Sequence, residues 1–183
     1  MDSYIEIALK PKAKTASNVL LNQVYTRLHK AIVVLKASNI GVSFPQYKVL
    51  LGKKCRIHSH QKTLNQLATL NWLGDVIDEC HLSEITAVPE NCQYRTISRI
   101  QSTMTNAKLR RLIKRRALNA EEIKQYQVTM LAKGLDHPYL ELESGSNGHK
   151  YRRYLQFGPL QTEPVAGEFD TFGLSQTATI PWF

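Results

Sequence analysis

The sequence predicts an α+β fold: an N-terminal ferredoxin-like βαββαβ unit, followed by a smaller α/β region with an arginine-rich helix and a β-hairpin. Three patterns predict it. Apolar residues alternate near the start, then recur at helical spacing, and the two periods repeat in the order β-α-β-β-α-β over about 90 residues. In the first strand Ile5, Ile7 and Leu9 alternate with Tyr4, Glu6 and Ala8, the signature of a half-buried strand. Thr15 or Ser17 is expected to N-cap the helix that follows, whose stripe is Leu20, Val24, Leu28, Ala31 and Leu35, running up to a turn at Asn39-Ile40-Gly41. Short strands are expected over 41–44 and 54–59, joined by a loop holding Pro45 and Gly52. A second helix over 62–73, capped near Thr63, and a strand over 81–88 ending at Pro89 complete the unit.

Beyond it the pattern changes. A strand is expected over 93–101, a basic helical segment over 106–117, and then a helix opened by the capping-box pair Asn119 and Glu122. Ile123, Tyr126, Met130 and Leu131 fall on one side of that helix, and Gly134 is its expected C-cap. Strands over 139–144 and 150–157 pair around Gly145-Ser146-Asn147-Gly148, where Asn-Gly supports a tight turn. Short β segments finish at Pro181-Trp182-Phe183. The domains read from this are 1–93 and 94–183.

Composition narrows the partners. With 24 Lys+Arg against 15 Asp+Glu the net charge is +9, which makes a polyanion the first partner to consider. The longest apolar run, Ala31–Leu35, is far short of the roughly 20 residues that span a bilayer. No membrane partner is expected, and with no cationic-then-apolar leader in view the expected location is cytoplasmic. Cys55, Cys80 and Cys92 are odd in number and lack CxxC spacing, so reduced thiols are expected rather than disulfides or a cysteine zinc site. No GxxxxGK[ST] or GxGxxG motif is present. Asp75, Asp78 and Glu79 form one acidic cluster with no second beside it, which disfavours two-metal phosphodiester chemistry. No cofactor or metal is expected.

The basic segment is the strongest local signal. Between Tyr94 and Ala120 stand eight Lys/Arg and no acid. Leu109, Leu112 and Ile113 share one stripe of the helix, while Lys108, Arg110, Arg111, Lys114, Arg115 and Arg116 fan around the rest. A solvated basic face is the alternative, but no carboxylate offers an i,i+4 partner to offset the repulsion. Arginine supplies four of those six cations, and its planar fork suits phosphate and guanine edges, so a nucleic acid is expected, RNA before DNA.

Single residues are weaker signals. His29 lies roughly 140° around its helix from the apolar stripe, so it faces solvent or the second domain, where an imidazole can take a proton from a ribose 2′-hydroxyl. A casual surface histidine is the competing reading. His58 and His60 form an HxH pair with no third ligand at metal spacing, and structural or exposed histidines fit better. Ser144 and Ser146 flank Gly145, where serines commonly form turns. Tyr151, with Lys150, Arg152 and Arg153 beside it, has the mix of aromatic and cation that stacks on a base. Arg99 and Gln101, two apart on a strand, share a face and suit guanine and adenine edges; salt bridging is the alternative.

Taken together, His29 in Leu28-His29-Lys30-Ala31, Gly41-Val42-Ser43-Phe44-Pro45, Ser98-Arg99-Ile100-Gln101 before an arginine-rich helix, Phe157-Gly158-Pro159-Leu160-Gln161, Gly173-Leu174-Ser175 and Pro181-Trp182-Phe183 closely resemble one family. It is the CRISPR repeat-processing endoribonuclease of type I-F (Csy-type) systems, and the resemblance runs from Met1 to Phe183. The resemblance implies metal-independent cleavage of precursor RNA at the 3′ base of the repeat stem-loop, leaving a 2′,3′-cyclic phosphate and a 5′-hydroxyl. It implies that His29 activates the 2′-hydroxyl and that Ser144 holds that ribose. Tyr151 would stack on the closing base pair, Arg99 and Gln101 would read the lower purines, and Arg115 and Arg116 would bind the groove. The implied partners are the CRISPR repeat RNA hairpin, in pre-crRNA and crRNA, and other protein subunits of a type I-F crRNA-guided complex. A non-catalytic RNA-hairpin-binding subunit is the alternative; a generic RRM-like binder would need an exposed aromatic pair on the first sheet, and none is found. The chain departs from the family at Phe172, a neighbour of the implied site where well-known members carry tyrosine, and at Leu112, where they carry a groove arginine.

Overall fold

The computed structural model describes residues 1–12, 15–100, 106–135, 137–143 and 148–183; of 106–107 and 131–135 it describes the backbone. Strand β1 (Ser3–Leu9) buries every second residue, Ser3, Ile5, Ile7 and Leu9, and leaves Tyr4, Glu6 and Ala8 half-buried on the other face. Helix α1 (Ser17–Leu35) lays Leu20, Leu21, Val24, Tyr25, Leu28, Ala31 and Ile32 into the same core. Strand β2 (Gly41–Ser43), strand β3 (Lys54–Ser59), helix α2 (Gln61–Thr69), a 3₁₀ turn (Gly74–Glu79) and strand β4 (Cys80–Leu82) follow. The sheet order is β2-β3-β1-β4 with every pair antiparallel, the arrangement of a split βαββαβ unit similar to ferredoxin-like folds.

Local details differ from the sequence pattern, each for a visible reason. Helix α1 starts after Ala16 with no side-chain cap bond, so neither Thr15 nor Ser17 caps it. Helix α2 starts after His60, and Thr63, inside it, accepts from Asn39 Nδ2 at 3.0 Å instead of capping. It stops at Thr69 rather than 73, and Asn71 follows with φ 44°. The strand expected over 81–88 breaks into β4 and β5 (Thr86–Ala87). Leu82 opposes Ile7 but Thr86 opposes Tyr4, one residue more on the outer strand, and the Ser83 hydroxyl takes the Glu6 N–H at 2.9 Å across the bulge.

The strand expected over 93–101 changes sheets at Thr96. Strand β6 (Gln93–Arg95) pairs with the final strand β10 (Ile180–Trp182), while β7 (Ile97–Arg99) joins a separate three-stranded sheet in the order β7-β9-β8, with β8 (Tyr139–Glu143) and β9 (Lys150–Phe157). Arg95 fills the corner: its guanidinium lies over Tyr47, Phe157 and Trp182 at 5.3, 5.3 and 4.8 Å and donates to the Gly158 carbonyl. The C-terminal segment is then stitched back across the molecule. Phe169 N–H donates to Ser38 O, Val42 N–H to Gly173 O and Ser175 N–H to Ile97 O, at 2.9, 3.0 and 2.9 Å. A Cβ on Gly173, whose φ is +70°, would fall 2.5 Å from Val42 Cγ2, and one on Gly41 would fall 2.4 Å from Ile180 Cγ2. Only glycine admits so close a crossing.

The chain divides into two compact units, Met1–Arg99 with Pro138–Phe183, and Ile100–His137. They are drawn differently from 1–93 and 94–183, because the C-terminal residues bond back to N-terminal ones, as at Phe169 to Ser38, Val42 to Gly173 and Glu141 to Asn22. The second unit holds α3 (Asn106–Lys114) and α4 (Ala120–Leu135). Asn119 and Glu122 form the reciprocal box at the start of α4, with 2.7 and 2.8 Å bonds. Gly134 lies inside α4 rather than capping it. On α3 Leu109 is buried, Leu112 half-buried and Ile113 exposed, so the apolar stripe is narrower than its spacing suggests. Among the described residues no helix is long and apolar enough to cross a membrane.

Candidate active site

His29 stands on α1 one residue past buried Leu28 and one turn beyond buried Tyr25, at the edge of the apolar stripe, and is half-buried. Its Nδ1 lies 2.8 Å from the Thr171 carbonyl oxygen. A carbonyl has no proton to give, so Nδ1–H is the donor, and in the neutral ring the lone pair belongs to Nε2. The imidazole is also stacked face to face on Phe172, centroids 3.7 Å apart and planes 5° from parallel. One hydrogen bond and one stack thus fix both the tautomer and the ring plane.

The loop that supplies both contacts is itself held. Asp170 Oδ1 accepts from the Phe172 and Leu174 N–H groups at 2.9 and 3.0 Å, and Gly173 N–H closes back onto Asp170 O at 2.8 Å. The Tyr25 hydroxyl donates to Phe172 O at 2.7 Å. Burial, with the Asp170 charge nearby, pushes the Tyr25 phenol well above its ordinary range, which keeps it a donor. Tyr25, Asp170 and Thr171 escape the sequence reading. The usable signals were the one-turn spacing of Tyr25 to His29 and the Asp-x-x-Gly turn at 170–173.

Arg153 completes the cluster. On β9 it shares the inward face with Tyr151 and Leu155, is 6% exposed, and carries its guanidinium carbon 3.5 Å from the Phe172 ring centroid. Two groups that close to one centroid can stand only on opposite faces, so Phe172 lies between Arg153 and His29. The Asp170 carboxylate is 4.0 Å from Arg153 Nη1, and Arg153 Nε has no hydrogen-bond partner among the described residues.

The family model described as CRISPR-associated protein (Cas_Csy4) matches residues 4–183. The chain belongs to the Cas_Csy4 family. It is 35% identical over 184 residues to a protein of Escherichia coli (strain UTI89 / UPEC) named CRISPR-associated endonuclease Cas6/Csy4, with all of both chains covered. It is 34% identical over 187 residues to a protein of the same name from Pseudomonas aeruginosa (strain UCBPP-PA14), again with all of both covered. A solved structure titled "Structure A of CRISPR endoribonuclease Cse3 bound to 19 nt RNA" matches with a TM-score of 0.41 and 13% identity, covering 99% of this chain and 100% of that one.

In this Cas_Csy4 chain the remaining expected residues fall in several places. His29 and Phe172 are brought together, whereas Gln101, Ser144 and Ser146 lie outside the described residues. Arg99 is exposed at the end of β7, opposite Leu155. Tyr151 and Arg152, expected as one basic-aromatic surface, point to opposite faces of β9. Tyr151 packs against the core, whereas Arg152 is exposed with its guanidinium 4.6 Å over Tyr139. On α3 Lys108, Arg110, Arg111 and Lys114 are exposed. Arg115 and Arg116 follow in the turn, where Arg116 N–H bonds Ile113 O, Ala117 N–H bonds Leu112 O, and Arg116 takes φ 51°, a Schellman-type end. His58 and His60 part company: His58 Nε2 is 2.8 Å from Ser43 Oγ inside the core, and His60 Nδ1 is 2.8 Å from Asp2 Oδ2. The three cysteines are free thiols, and burial pushes Cys55 up to about 12.

Proposed function

We propose that the protein is a CRISPR RNA-processing endoribonuclease. It cleaves precursor RNA at the 3′ base of the repeat stem-loop without a metal ion and stays on the crRNA hairpin as a subunit of a type I-F complex in the cytoplasm. The observation that carries the reading is the His29 imidazole in a family member. With Nδ1–H committed to the Thr171 carbonyl, Nε2 is the nitrogen left to accept a proton. The proton on the ribose 2′-oxygen moves to Nε2 as that oxygen bonds to phosphorus. The bond from phosphorus to the 5′-oxygen breaks, and that oxygen takes a proton from water while Nε2 returns its proton to solvent, giving a 2′,3′-cyclic phosphate and a 5′-hydroxyl. Ser144 is the group proposed to hold the ribose in line for attack.

Grip on the hairpin is assigned to residues 94–183. The exposed cations Lys108, Arg110, Arg111, Lys114, Arg115 and Arg116 take phosphates and groove edges, Arg99 and Gln101 the lower purines, and Ser146 with the half-buried Tyr151 the base of the stem, Arg152 being a separate contact from the opposite face of β9. Phe172 carries no hydroxyl, so in this member the ring works by stacking alone.

The test uses the chain's own repeat hairpin in EDTA at fixed salt, beside a copy with one 2′-deoxy residue just upstream of the cut. Cleavage of the first to a cyclic phosphate, with binding but no cleavage of the second, is the expected result. Binding of both with cleavage of neither makes the protein a hairpin cap, and binding of neither removes the RNA reading.

A further inference from the structure

Arg153 is costly where it stands. Among the described residues this guanidinium, 6% exposed, has its nearest carboxylate oxygen at 4.0 Å and no partner at Nε, so it loses hydration that the pairing does not return. An alkyl side chain would fill the same place on the inward face of β9 without that cost. What Arg153 has instead is the face of Phe172 at 3.5 Å, an attraction that desolvation strengthens. The opposite face of that ring carries His29.

We propose that Arg153 is a positioning residue for His29, acting through Phe172; this rests on the reading of His29 as the base. The backbone of Phe172 is fixed at N by Asp170 and at O by Tyr25, so the remaining freedom is rotation of its side chain. A ring without a polar atom cannot be locked by a hydrogen bond, and the cation on one face locks it instead. The imidazole has the same problem in smaller form. A single bond at Nδ1 leaves it free to swing about the line to Thr171 O, and the parallel stack on a locked ring removes that swing. The order Arg153, Phe172, His29 thus carries rigidity from β9 to the nitrogen that accepts the proton.

The variants are Arg153→Met, Arg153→Lys and Phe172→Leu, assayed in the full chain by single-turnover cleavage of the repeat hairpin and by its Kd. Arg153→Met is expected to slow cleavage 10- to 100-fold with Kd within twofold, and Arg153→Lys, which keeps a cation on the ring, to recover part of the rate. Phe172→Leu should cost a similar factor, and adding Arg153→Met to it no more than twofold further, because the two act in series. Should Arg153→Met fail to fold, the Arg153→Lys and Phe172→Leu pair carries the same comparison. Parent-rate cleavage by Arg153→Met overturns the proposal, as does a Kd loss equal to the rate loss, which would make Arg153 an RNA contact, or full additivity with Phe172→Leu. If the parent chain does not cleave, the enzyme reading falls by itself. The ¹⁵N spectrum of His29 then decides this inference, with Nδ1–H tautomer purity expected to drop in Arg153→Met and an unchanged spectrum overturning it.

Discussion

His29 and His58 each hold one ring nitrogen in a 2.8 Å contact, and the two pockets put the same side chain to opposite use. His29 meets a carbonyl, which fixes Nδ1 as donor, and sits half-buried at the edge of α1. His58 meets the Ser43 hydroxyl, which can give or take a proton, and is fully buried with Nδ1 unpartnered among the described residues. Burial, with the Arg56 charge and the N-terminal ammonium adding to it, pushes the His58 pKa down to about 3. The ring is neutral packing material at ordinary pH. What separates a candidate base from a core histidine here is the partner's chemistry and the access to the second nitrogen, neither of which follows from residue type.

The sharpest way to break the comparison is to remove each imidazole. His29→Ala is expected to slow single-turnover cleavage about 10²- to 10⁴-fold, the range of a positioned general base, with hairpin affinity kept. A variant cleaving at the parent rate would put His29 back among ordinary surface histidines. For His58 the readout is stability. Its native pKa lies below the unfolded value near 6.5, so between those values the unfolded chain binds more protons and stability falls as pH falls. The loss approaches about 1.4 kcal/mol per pH unit through that window and stops near the native value. Urea unfolding of the parent and of His58→Leu from pH 7 to 4 checks it: the variant should give the flatter curve, and parallel curves would assign the acid sensitivity to other groups.

Much of the frame was legible because periodicity reports burial directly. The alternation in β1, the α1 stripe and the Asn119–Glu122 box are local patterns with local causes. The candidate site was legible only in part. His29 could be placed off the core stripe by helical geometry, but its partners come from residues 170–172 and 153, more than 120 positions away, and no local pattern joins them. Tyr151 and Arg152 were read as one surface because they are adjacent, although a strand sends neighbours to opposite faces. The break at Thr96 was hidden for a similar reason, since a strand that changes sheets keeps its β character in sequence.

The smallest expected effect probes how the His29 pocket is kept in shape, where the His58 pocket is held by burial and the Ser43 contact. Tyr25→Phe removes one hydroxyl that donates to Phe172 O and leaves that carbonyl unpaired in a part-buried place. Stability should drop by about 0.5 to 1.5 kcal/mol. Asp170 still holds the Phe172 N–H, and Arg153 and His29 still hold the ring, so the cleavage rate should fall only about two- to tenfold, near 1 kcal/mol in barrier. Chemical denaturation and single-turnover rates on one preparation separate the two. A rate loss as large as that of His29→Ala would mean that the Tyr25 bond, not the stack, sets the imidazole. No change in either would mean that Asp170 and the ring contacts hold the loop without it.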